Sequence, residues 1–155
     1  HPAFRVPVRE GESQSDYRLA FEGLDTLTYL LIDTSVGTVL ADEPHTLFLE
    51  NGTCSIAPHM FDKDALVFDN GQIQKAGILF PDGTPYLTLT SEGFPNFGIW
   101  SVPGAPFVCL EPWMGRCDNV GFNKDISEKP FINHVDAGET FVNGYELIVA
   151  VNHKG

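Results

Sequence analysis

The chain has 155 residues, 43% of them hydrophobic and 12% aromatic, and a net charge of −12. That length is one ordinary domain or part of a larger one, and the apolar content excludes a disordered tail. So negative a chain is unsuited to nucleic acid or an anionic membrane surface, both bound through Lys and Arg, and no apolar run approaches the ~20 residues of a membrane span.

The sequence opens on His1-Pro2-Ala3-Phe4 without a Met, and no basic stretch leads into an apolar one, so no signal peptide is expected. The residue before a proline avoids the helical region, which places His1 at the head of an extended segment. Tyr17 to Glu22 alternates apolar and polar residues, the period of a half-buried strand. Asn51-Gly52-Thr53, formally a glycosylation sequon, reads as a turn. Pro58 to Asp62 has room for one helical turn at most. An acidic turn, Phe61 to Asp64, runs into a strand over Ala65 to Phe68. Asn70-Gly71 then predicts a two-residue hairpin to a second strand, Ile73 to Phe80, because a type I′ turn needs positive φ at both positions. Asp82-Gly83 and Asn143-Gly144 predict two further turns, with strands over Tyr86 to Thr90 and Tyr145 to Val151. Many short strands, 15 glycines and 11 prolines predict an all-β fold, an antiparallel sandwich with little helix. No repeat or change of composition divides residues 1–155, and the dispersed acidic residues read as solvated surface. Three cysteines, Cys54, Cys109 and Cys117, cannot all pair and form no CxxC motif, which fits reduced thiols in a cytoplasmic protein.

The segment from Pro106 to Asp118 carries the strongest chemical signal. On a strand, Val108 and Leu110 face one side and Cys109 and Glu111 the other. Glu111 then ends an apolar strand beside Trp113, with Arg116 close by. A carboxylate, an indole and a guanidinium suit a sugar: the aromatic face packs on the C–H face of a pyranose, and the charged groups take its hydroxyls. A carboxylate paired with Arg116 for structure alone is the plainer alternative.

His1-Pro2-Ala3-Phe4, Phe61 with Asp64-Ala65-Leu66, Phe97-Gly98-Ile99-Trp100-Ser101, and Phe107-Val108-Cys109-Leu110-Glu111-Pro112-Trp113 with Gly115 and Asp118 occur in that order. Together they resemble the C-terminal half of an aldose 1-epimerase of the galactose mutarotase-like family, in its LacX-like branch. The resemblance implies an antiparallel β super-sandwich with an open carbohydrate groove. It implies an isomerase that interconverts the anomers of a hexose, with Glu111 as general base and His1 as general acid. Asp64 falls where the family holds sugar hydroxyls with an aspartate, although Asp62 would share its face in a strand. Trp113 and Arg116 complete the expected sugar contacts. Opening and closing a hemiacetal needs only proton transfers, so no cofactor or metal is implied.

A complete family member is about twice this length, and its other half supplies a further His and Arg. The chain is therefore expected to be one segment of a larger sandwich, its open sheet covered by the missing half or by another chain. Two rivals remain at this stage. One is a non-catalytic carbohydrate-binding protein on the same fold. The other is a copper monooxygenase whose N-terminal His1 and a second histidine (His45, His59, His134 or His153) form a histidine brace.

Overall fold

The computed structural model describes residues 1–150. Among these, thirteen strands follow in order: β1 (Ala3–Arg5), β2 (Arg18–Ala20), β3 (Thr26–Tyr29), β4 (Ile32–Asp33), β5 (Thr38–Val39), β6 (His45–Phe48), β7 (Thr53–Ser55), β8 (Leu66–Phe68), β9 (Lys75–Leu79), β10 (Pro85–Thr90), β11 (Asn96–Trp100), β12 (Phe107–Trp113) and β13 (Glu146–Val149). The helical content is two single 3-10 turns, Gln14–Asp16 and Ile126–Glu128. Residues 58–63 form successive turns and not a helix.

The strands build two main antiparallel sheets. The first has the order β1-β12-β11-β8 and the second β13-β10-β9-β2-β7. Alternation dictates how they face. Val108 and Leu110 of β12, Phe97 and Ile99 of β11, and Leu66 and Phe68 of β8 point to one side. They meet Leu19 of β2, Ala76 and Ile78 of β9, and Leu87 and Leu89 of β10 in one apolar cluster. Each such buried side chain contributes about 1.5–3 kcal/mol. The inner faces of the two sheets thus close on each other within the chain itself.

The polar-apolar pattern also locates the outer face of the first sheet. Cys109, Glu111 and Trp113 lie there, opposite Trp100, Gly98 and Asn96 of β11. Val67 stands next to Gly98 on the far strand. The excursion between β2 and β7 pairs β3 with β6 and β4 with β5. It sets Leu30 and Val39 against Val67, with Trp113 at the edge of this smaller cluster.

Turn positions follow the sequence more closely than pairing does. Asp82-Gly83 joins β9 to β10 as a hairpin. Asn51 and Gly52 both have positive φ, and Glu50 and Thr53 exchange backbone hydrogen bonds across them. Asn70 and Gly71 also have positive φ, 65° and 64°, but they do not close a hairpin. β8 pairs with β11 in one sheet and β9 with β10 and β2 in the other, so this turn carries the chain between layers. Its local bonds explain the diversion: the Gly71 N–H donates to the Pro95 carbonyl, and the Gln72 side chain donates to the carbonyls of Asp69 and Thr28. Asn143-Gly144 is not a tight turn either. Neither residue has positive φ, and the segment leads extended into β13.

β13 pairs with β10 along one edge and is exposed at all four residues. It is an edge strand, not the half-buried one expected over Tyr145 to Val151, whose last residue lies outside the described residues. Val142, Tyr145, Ile148 and Val149 are half exposed or more. Phe141, Val142, Tyr145, Leu147, Ile148 and Val149 thus make one run of uncovered apolar residues at this edge, while Phe48, Ile126 and Val36 are exposed elsewhere. Among the described residues, no helix is long and apolar enough to cross a membrane.

Candidate active site

Antiparallel register brings His1 and Glu111 together. Ala3 pairs with Cys109, and the Leu110 N–H donates to the Pro2 carbonyl at 3.1 Å, so the next position outward sets His1 across from Glu111. The imidazole Nδ1 lies 2.8 Å from Glu111 Oε2. The two side chains differ sharply in exposure, 85% for His1 and 3% for Glu111. The same carboxylate oxygen accepts the indole Nε1–H of Trp113 at 3.0 Å. Beneath the carboxylate sits the buried Cys109 thiol. Burial first, and then the neighbouring Glu111 anion and a hydrogen bond to it, push that thiol up to about 11. It stays protonated at neutral pH and is not a nucleophile there.

Trp113 earns its position from a residue the sequence argument gave no role. Gly98 is the cross-strand neighbour of Glu111. A Cβ at position 98 would overlap the indole Cζ2 and lie 2.5 Å from Cη2 and 3.0 Å from Cε2. The ring therefore lies flat across the glycine backbone. A glycine inside a strand is the sequence signal of such a close approach.

Arg116 does not neutralise Glu111. Its guanidinium forks onto Asp69, with Nε 2.9 Å from Oδ1 and Nη2 2.8 Å from Oδ2, and its Nη1 donates to the Cys117 carbonyl. Its side chain is almost wholly buried. Asp69 Oδ1 also accepts the amide of buried Asn96, whose Oδ1 takes the Gly115 N–H. The expectation that Arg116 supports Glu111 is corrected: the arginine ties the segment after β12 to the ends of β8 and β11. Asp69 was the unseen partner, and only the tertiary pairing of β8 with β11 reveals it.

Asp64 and Asp62 do not share a strand face. Both precede β8 in a turn, and Asp64 has a φ of 72° with Oδ1 accepting the Ala65 N–H. Asp62 binds His59. Asp64 lies in the turn before β8, two strands across the sheet from Glu111. The structure gives it no contact with the His1–Glu111 pair.

A cleft of about 520 Å³ lies elsewhere, lined by Tyr29, His45, His59, Met60, Asp62 and Leu66 among others. His45 stacks on Tyr29 there, and His134 binds Asp136 on the surface. Among the described residues no three His, Cys, Asp or Glu side chains converge to hold a metal. His153 lies outside the described residues.

Fold and site together describe an antiparallel β-sandwich that carries a buried carboxylate under an imidazole on its outer sheet face. That architecture is the galactose mutarotase-like fold. A galactose mutarotase-related enzyme from Lactobacillus acidophilus superposes with a TM-score of 0.84 at 22% identity, over 97% of this chain and 50% of that one. A galactose mutarotase-like protein from Lactobacillus casei ATCC 334 superposes at 0.68 and 24% identity, over 95% and 49%. In sequence the chain is similar to the LacX proteins of Lactococcus lactis subsp. lactis, plasmid and chromosomal, at 27% identity over 151 residues, 96% of this chain and 50% of each of those. No protein-family model matches the chain. The chain spans about half the length of the curated relatives it matches.

Proposed function

We propose that this chain supplies the acid/base pair of an aldose 1-epimerase, with Glu111 as base and His1 as acid. The 2.8 Å contact between them is the observation that carries the proposal. In a cyclic aldose the C1 hydroxyl and the ring oxygen are bonded to the same carbon. The groups that serve them must therefore converge on one place, as these two do. Glu111 accepts the hydroxyl proton while the imidazolium gives one to the ring oxygen. The ring opens to the aldehyde, C1 turns, and the ring closes on the other face with the two roles exchanged. The exposed imidazole rests on the carboxylate, and a sugar enters by lifting it away. Trp113 lies at the mouth of this place, and Asp64, farther across the sheet, is assigned to hydroxyls remote from C1.

The names of the structural neighbours and the LacX relationship support this reading. The three cysteines of the described chain are free thiols, which supports a reducing compartment, the cytoplasm. The exposed β13 edge supports a further polypeptide lying against it, corresponding to the remaining half of the relatives' length.

In the intact protein Glu111→Gln removes the proton acceptor and keeps the shape. Mutarotation followed by polarimetry should fall about 10²–10⁴-fold while sugar binding persists. An unaltered rate would end the assignment. A rate that is nil in the unsubstituted protein too, with binding intact, would leave a carbohydrate-binding module.

A further inference from the structure

We infer that Trp113 is a positioning residue for Glu111, and that Gly98 exists to let it act. The inference rests on the proposed role of Glu111 as base and adds the device that aims it. Trp113 was expected to be a stacking platform for the sugar. The structure gives its polar end a different partner: the indole N–H is spent on Glu111 Oε2 at 3.0 Å. Position 113 is two residues beyond Glu111 on the same strand face, so the ring has to fold back toward Gly98 for its N–H to reach the carboxylate. That path crosses the backbone of Gly98, which any larger residue would close. The outer edge of the ring packs with the Leu30, Val39 and Val67 cluster, which holds it in that orientation.

The consequence for catalysis is directional. A glutamate has three side-chain torsions, and misplacing a reacting group by about 1 Å costs on the order of 100-fold in rate. A charge-assisted N–H···O bond is among the stronger side-chain contacts. Both His1 and Trp113 meet Oε2, and the Cys109 thiol also hydrogen-bonds the carboxylate. When a sugar lifts His1 away, the indole N–H still holds Oε2 and keeps the carboxylate aimed for proton transfer.

The test uses Trp113→Phe, which removes the indole N–H along with the fused ring that crosses Gly98, and Gly98→Ala, which displaces the ring. In the intact protein Trp113→Phe should lower kcat about tenfold or more with KM little changed, since the lost bond is to Glu111 and not to the sugar. The double variant should fall no further than the worse single one, because both act through one bond. A direct readout needs no activity. The Nε1–H resonance of Trp113, assigned against Trp113→Phe, should move in Glu111→Gln even if Gly98→Ala fails to fold. A raised KM at unchanged kcat in Trp113→Phe, or an indole resonance indifferent to Glu111→Gln, overturns the positioning role. If instead Glu111→Gln leaves kcat intact while the indole resonance moves, the bond stands and the base assignment is what falls.

Discussion

Asp69 holds more of the site than its distance from the chemistry suggests. Its carboxylate takes Arg116 and Asn96 at once, and Asn96 passes the connection to the Gly115 backbone. Removing one member of a buried ion pair leaves the other charge unpaired, at a cost of about 3–5 kcal/mol. Asp69→Ala should therefore lower the unfolding free energy by that much, read as a fall in the denaturant midpoint. Asp64→Ala, whose carboxylate mainly caps its own turn, should cost far less. Equal midpoints for the two would remove Asp69 from this role. At this scale the sequence was legible where alternation alone decides. Val108 and Leu110 inward, Cys109 and Glu111 outward, needed no structure. The meeting of His1 with Glu111 was reached through motif order, because nothing local to either residue names its neighbour. Arg116 was misassigned for the same reason: its partner lies on another strand, and spacing offered Glu111 as the nearer acid.

Turns show the same division one level up. Asn70-Gly71 has the dihedral angles its sequence demands, yet the strands it separates belong to different sheets. Backbone chirality is a property of two residues. Pairing is a property of whichever faces must be buried together, and here Leu66 and Phe68 need β11 as a neighbour while Ile78 needs β2 and β10. Aspartates at three other turns, Asp33, Asp82 and Asp125, each accept the backbone N–H and the hydroxyl of the Ser or Thr two residues on. Those bonds favour the charged carboxylate and hold all three below the ordinary aspartate value of 3.8. A depressed folded value means that the contribution is complete above 3.8 and is lost as pH falls below it toward the folded value. The melting temperature should therefore decline in acid. The decline should be shallower in Asp82→Asn, whose amide keeps an acceptor and does not titrate. Identical acid slopes for the two proteins would show that this turn adds nothing to pH dependence.

For the molecule as a whole, the inner core is closed and a run of exposed apolar residues lies at β13. An unpaired strand edge with Ile148, Val149 and Tyr145 in solvent invites another strand. The 155-residue chain by itself should bind a hydrophobic dye and sediment as a concentration-dependent mixture. Ile148→Lys should reduce both effects, and a strictly monomeric, dye-silent chain would remove the case for a covering polypeptide. Composition and turn frequency made the sandwich legible. The location of its bare edge was not, because Tyr145 to Val149 reads as an apolar strand just as β10 does, and what lies against each is not local to it. The side-by-side placement of β1 and β12 has its own consequence. These strands lie far apart along the chain, so their pairing is a long-range contact. Long-range closures of this kind are slow, because loop entropy is lost before the contacts repay it. Competence for proton exchange is thus a late property of folding: a half-assembled molecule has an imidazole and a carboxylate, and no place where they meet.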